Sequence, residues 1–219
     1  MSRMSDFQLL SLFPLTSRCH YRGTAAGIQC GVAKAANIIA VKVLGDDGWA
    51  VSSNSINGII SGLNWISESA KASGRPSIAS LSIGGSASTP LDNAVTALVN
   101  KGIYVTVAAG NSNVDAGNTS PARAFGSITV GASTITDARA SFSNYGAVVD
   151  IFAPGQTILS AWPGAADATP HVAGLVANFI GKYGAISPAK MGELIQKSSV
   201  KGILSNIPAG TVNYLAQDV

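Results

Sequence analysis

Apolar residues along this chain gather into short runs, separated by longer stretches in which they recur every three or four positions. The runs IIAVKVL (38–44), SIASLSIGG (77–85), IYVTVAAG (103–110), SITVGAS (127–133) and VVDIFAPG (148–155) read as strands. They are apolar nearly throughout, the pattern of a parallel sheet covered on both faces. Between them, Ser55 to Ala72 sets Ile56, Ile59, Ile60, Leu63 and Ile66 on one helical face. Thr89 to Asn100 does the same with Leu91, Ala94, Val95 and Leu98, with Thr89 as N-cap and Pro90 at the first helical position. Two further helices are predicted at Pro170–Lys182 and Pro188–Ser198. Strands alternating with helices imply right-handed βαβ units and an α/β fold with a doubly wound, mostly parallel sheet in one domain.

In such a sheet the ligand site lies beyond the carboxyl ends of the strands. Those ends here are SIGG, AAGN and FAPG, each opening into glycine and small residues. Glycine there either lets a ligand come close to the backbone or simply makes a turn, and the pattern alone leaves both readings open.

Composition narrows the function classes. With 219 residues, 47% of them hydrophobic, the chain is long enough for one substantial core. No stretch reaches the roughly 18 apolar residues of a membrane span, so a soluble chain with no membrane partner is expected. The net charge of +3 is scattered over Lys34, Lys42, Lys71, Arg75, Arg123, Arg139 and the C-terminal lysines. A nucleic-acid surface needs a basic stripe, which this distribution does not make. No G-x-G-x-x-G follows a strand, which argues against a dinucleotide site. Cys19 and Cys30 can pair but have no metal-site spacing. The N-terminal LLSLFPL is short, carries a proline and follows Asp6, so it makes a poor signal peptide, and the compartment stays open.

Several motifs in order carry a resemblance. AAGN (108–111), SIGG (82–85), TPHVAGL (169–175), GVAKAANIIAVKVL (31–44), NYGAVVDIFAPG (144–155) and LSNIPAGTVNYLA (204–216) together resemble the subtilisin-like serine proteases, most closely the fungal, proteinase K-like branch. The resemblance runs over residues 23–219 and leaves residues 1–22 unmatched. It implies a three-layer αβα sandwich, here lacking its N-terminal elements. It also implies acyl transfer by a triad in the order aspartate, histidine, serine, in which the serine attacks, the histidine takes its proton and the aspartate orients the imidazole.

Each member of that triad has an address in the sequence. The aspartate belongs in an Asp-Thr-Gly or Asp-Ser-Gly turn after an apolar strand, and the only early acidic residue is Asp6, with no strand before it. The histidine belongs in His-Gly-Thr-His shortly before GVAK, where the chain reads TSRCHYRGTAAGIQCGVAK (16–34). Matching Gly23-Thr24 to the segment that follows puts His20 on the family's second, structural histidine and Ser17 on the catalytic one. Making His20 catalytic puts Tyr21 and Arg22 where glycine and threonine belong. The serine belongs in Ser-Gly-Thr-Ser-Met-Ala-Thr-Pro-His at a helix N-terminus. Aligned without a gap, Ala166 takes the nucleophile's place and Asp167 the methionine's. The better alignment treats AWPGAADAT (161–169) as the preceding loop, so that the nucleophile is deleted; Ser160 lies on the wrong side of the loop to substitute.

Other parts survive. The resemblance assigns Asn111 to the oxyanion hole, Ser82, Ile83, Gly84 and Gly85 to the substrate cleft, and Ala108, Ala109 and Gly110 to its facing wall. Trp49, within Gly48-Trp49-Ala50, takes the other cleft edge and either covers the cleft or packs elsewhere. Asp150 matches a calcium-ligand aspartate aided by backbone carbonyls near Phe125 and Ser127; the alternative is a solvated or helix-capping aspartate. His171 is structural. No cofactor is required, a structural calcium is implied at most, and a monomer acting on peptide or protein substrates is expected. The family implies secretion or a vacuolar location and a removed propeptide. The expected function is that of a serine endopeptidase relative that cannot hydrolyse peptides as written. The alternatives are a pseudoprotease that binds peptides by strand addition at SIGG, and an active protease whose coding sequence has been misassembled, with segments missing beside codon 169 and before codon 23.

Overall fold

The structure, a computed structural model, describes residues 8–13, 23–27, 31–34, 36–44, 54–158 and 168–218. Its main sheet is built from the apolar runs. Strands β1 (Gln8–Phe13), β2 (Asn37–Lys42), β3 (Ser77–Leu81), β5 (Tyr104–Ala108), β7 (Ile128–Ser133), β8 (Ile151–Pro154), β9 (Val200–Lys201) and β10 (Tyr214–Leu215) are ordered β2-β1-β3-β5-β7-β8-β10-β9. Pairing is parallel from β2 to β10, and only β9 runs antiparallel to its neighbour. A second, two-stranded antiparallel sheet joins β4 (Gly85–Ser86) to β6 (Thr119–Ser120).

Helices cover both faces. Alternation along the parallel strands sends Leu10, Ala79, Leu81, Val105 and Val107 to one face. There they meet Ile59, Leu63 and Ile66 of α1 (Asn54–Ser73) and Leu91, Val95 and Leu98 of α2 (Thr89–Asn100). Leu9, Ile78, Tyr104, Ile128, Val130 and Ile151 point to the other face. They pack on Val172, Val176 and Phe179 of α3 (Ala168–Tyr183) and on Met191 and Ile195 of α4 (Pro188–Ser198). The result is the three-layer αβα sandwich.

The N-terminal strand differs from the sequence reading, which leaves residues 1–22 outside the pattern and the sheet without its first strand. Residues 8–13 lie inside the sheet, paired along their length with β2 and also with β3: Leu10 stands beside Ile39 and Ala79. The segment QLLSLF hides this role because its leucines are not β-branched and Pro14 follows at once. Its pairing partners also lie far along the chain, beyond any local pattern.

Smaller differences have local causes. The run predicted over 77–85 breaks after Leu81, because Gly85 and Ser86 leave the main sheet to pair with Thr119 and Ser120. The N-cap of α2 is Ser88, not Thr89; its side chain makes no cap bond, and its N–H donates to the Ser120 hydroxyl at 2.8 Å. Helix α3 begins at Ala168, earlier than the predicted Pro170, since proline is tolerated in a first turn whose N–H groups need no helical partner. Helix α4 spans the residues predicted, with the Ser187 hydroxyl accepting from the Lys190 N–H.

Candidate functional site

β3 and β5 are adjacent and parallel, with Leu81 beside Val107, so Ser82–Gly85 and Ala108–Asn111 leave the sheet side by side at its carboxyl end. The β4–β6 pair joins the first of these segments to residues 119–120. Gly84 and Gly85 are exposed, and a Cβ added to either would meet nothing within 4 Å. Ser82 presents a hydroxyl oxygen that is buried and has no hydrogen-bond partner. The Ile83 side chain turns into the core under α1 and α2.

The facing segment is held rigidly by a residue the sequence reading did not single out. Asn144, 1% exposed, donates its Nδ2 to the Ala109 carbonyl at 2.8 Å, and its Oδ1 accepts the N–H of Ser112 at 3.0 Å and of Val114 at 3.1 Å. Its own N–H donates to the Gly110 carbonyl at 2.9 Å. The side chain comes so close that a Cβ on Gly110 would lie 2.5 Å from Nδ2, and Gly110 has a φ of +108°, so glycine is required there twice over. Asn113, at φ 54°, donates its N–H to the Phe142 carbonyl at 2.8 Å, and Asp115 caps the short 3-10 turn Ala116–Asn118 through the Gly117 N–H. Ala109 itself is buried, Ala108 is half-buried, and the locked turn presents Asn111 to solvent. The sequence signal was available: Asn144 opens the NYG of NYGAVVDIFAPG.

Helix α3 starts at the same end of the sheet. The Ala168 Cβ lies 3.1 Å from where a Cβ on Gly155, just after β8, would be. This placement aims the positive end of a long helix toward the carboxyl ends of the strands, the arrangement that stabilises developing negative charge. Ala168 and Thr169 are buried, and His171 is half-buried in the first turn. Ser17, Trp49 and Ala166, together with His20, lie outside the described residues. The expected apolar strand of the triad aspartate is present as β1, but Asp6 precedes it and the residues that follow read PLTS.

Asp150 sits elsewhere, at the opening of β8, beside a cleft of about 380 Å³ lined by Phe125, Ser127, Thr129, Glu193 and Gln196 among others. It caps no helix. Its Oδ2 accepts the Thr129 N–H at 2.8 Å and its Oδ1 accepts Gln196 Nε2 at 3.2 Å. Burial pushes its carboxyl pKa up to about 6, against the smaller lowering effect of the Thr129 N–H. The Phe125 carbonyl accepts the Thr96 hydroxyl at 3.2 Å. Calcium takes six to eight oxygens from carboxylates, carbonyls and water; here both oxygens of the buried Asp150 carboxylate face N–H donors. Among the described residues no group of three or more His, Cys, Asp or Glu side chains gathers to hold a metal. The donor set as it stands does not fit calcium.

The profile of the peptidase S8 subtilase family matches residues 18–214. The chain belongs to the subtilase family. It is 46% identical over 207 residues to a cuticle-degrading protease of Metarhizium anisopliae, covering 90% of this chain and 52% of that protein. It is also 46% identical to subtilisin-like protease 2 of Pseudogymnoascus destructans, with 90% and 50% covered. Among solved structures, a cold adapted subtilisin-like serine proteinase superposes with a TM-score of 0.89 at 32% identity, covering 99% of this chain and 90% of that one. The fold is therefore subtilisin-like, and the relatives bear out the fungal, proteinase K-like resemblance. This subtilase spans about half the length of the relatives it matches.

Proposed function

We propose that this member of the subtilisin-like serine protease family keeps a peptide-binding cleft but carries no hydrolytic triad, so that it does not cleave what it binds. The observation that carries the reading is the end of β1. The strand holds its place inside the sheet, yet Pro14-Leu15-Thr16-Ser17 follow it where the triad's aspartate belongs. The approach to α3 supports the same conclusion, because AWPGAADA (161–168) contains no serine. In subtilisin, losing the serine alone costs about 2 × 10⁶ in turnover. On this reading an extended peptide lies between Ile83–Gly84 and Ala109–Asn111, with its backbone against the exposed Gly84.

One observation favours a second reading, an intact protease whose coding sequence has lost segments. NYGAVVDIFAPG and TPHVAGL survive on either side of the gap, whereas slow decay wears flanks and centre alike. A mass-spectrometric peptide map of the protein from its source, over the segment between Arg139 and Lys182, separates the two. The expected result is a peptide that reads AWPGAADATPHVAGL without interruption, together with no hydrolysis of casein and no labelling by a fluorophosphonate. Extra mass that fragments to a serine-containing insert before Pro170 would overturn the proposal.

A further inference from the structure

Asp150 stands where three elements meet: the start of β7, the start of β8 and the last turns of α4. Its backbone and side chain both clasp Thr129. The Asp150 N–H donates to the Thr129 carbonyl at 2.9 Å, and the Thr129 N–H returns to Oδ2 at 2.8 Å. From the other side, Gln196 of α4 reaches over with one amide nitrogen, 3.2 Å from Oδ1 and 3.4 Å from the Asp150 carbonyl oxygen. The turn of α4 that carries it is closed by the Ser199 hydroxyl, which donates to the Gln196 carbonyl at 2.7 Å.

We propose that Gln196 replaces a bound cation at this junction: its amide, rather than a metal, ties α4 to Asp150, and the fold neither needs nor tightly holds calcium there. The argument is one of donors. A cation and an N–H both present positive charge to an oxygen, and both cannot occupy the same approach. Gln196 Nε2 faces both the carboxylate and the carbonyl oxygen of Asp150, so a donor already stands on the carboxylate oxygen that a cation would take. The Phe125 carbonyl is turned to Thr96 on α2, and Glu193, which lines the same cleft, is exposed to water. A neutral amide satisfies the oxygens without neutralising the charge.

The test is calcium response, read without reference to hydrolysis. For the full chain, the melting temperature is expected to be the same in chelator and in millimolar calcium, and terbium is expected to give no sensitised luminescence. Gln196→Ala removes a hydrogen bond to a charged group, so its Tm should fall by about 3–10 °C in chelator. Calcium should restore part of that loss, because the carboxylate is then open. Gln196→Glu should show the same calcium rescue more strongly. A wild-type Tm that rises with calcium and falls with chelator would sink the proposal. So would a Gln196→Ala protein as stable as wild type in chelator. If neither variant folds, the terbium and chelator measurements on the wild-type chain decide alone.

Discussion

From β3 across to β7 the sheet is sealed: all five residues of β3 and all six of β7 are buried, whereas not one residue of β2 is. The two sides of the molecule also carry different parts of the subtilase plan. Ser82–Gly85, Ala108–Asn111 and the Asn144 brace hang from β3, β5 and the chain before β8, all on the sealed side. The resemblance assigns the aspartate and histidine of the triad to the segments around β1 and β2. Among the described residues, the 109–114 turn draws its hydrogen bonds from Thr119, Val130, Phe142, Asn144 and Tyr145. Sealing does not make the cleft side inert, however. It concentrates the strain of any change on a few buried polar or tightly packed atoms, and those atoms are where the comparison can be broken.

Asn144→Ala should show the largest effect. It strands the Ala109 carbonyl and the N–H groups of Ser112 and Val114 at once. Burying unpaired groups costs about 1–3 kcal/mol each, so a loss of about 3–5 kcal/mol is expected, with some partners reaching water. Urea denaturation measures it. A loss under about 1 kcal/mol would show that the turn is not braced by Asn144 and that the two regions are not held independently.

A glycine pair gives the next, smaller contrast. On Gly131 of β7 a Cβ would lie 2.4 Å from the ring of Phe152, a clash inside the sealed core. On Gly84 it would meet open space. Gly131→Ala should cost about 1–3 kcal/mol and Gly84→Ala less than about 0.5 kcal/mol. Equal losses in parallel thermal melts would mean that the cleft edge is packed against something and is not open to a peptide.

Much of this was legible in the sequence, and the gaps have physical causes. The β-branched runs and the helix faces of α1, α2 and α4 are local signals, and they match the elements found. β1 is not a local signal: QLLSLF becomes a strand only because β2 and β3 offer it a slot. Nor is the bracing role of Asn144, whose acceptors and donors lie thirty or more residues earlier in the chain, even though the NYG string that it opens is visible. The resemblance pointed to Asn111 through its AAGN context and to Asp150 through VVDIF. The amide that meets Asp150 comes from α4, which no motif links to it. Residues defined by a short conserved-looking string can be read one chain at a time; residues defined by a partner across the fold cannot.

The smallest expected effect is also the most direct probe of function. Asn111 is exposed on the locked turn, so Asn111→Ala should leave stability within about 0.5 kcal/mol of wild type. In a working subtilase the same change removes a donor to the tetrahedral oxyanion, at a cost of about 10²–10³ in kcat. On the proposed reading there is no nucleophile and no oxyanion to stabilise, so any trace hydrolysis in a preparation of this chain should be the same in both proteins. The comparison needs only matched preparations and a chromogenic peptide. A hundredfold drop in the variant would mean that a real acyl transfer had been running through Asn111, and that the chain supplies a nucleophile and base after all.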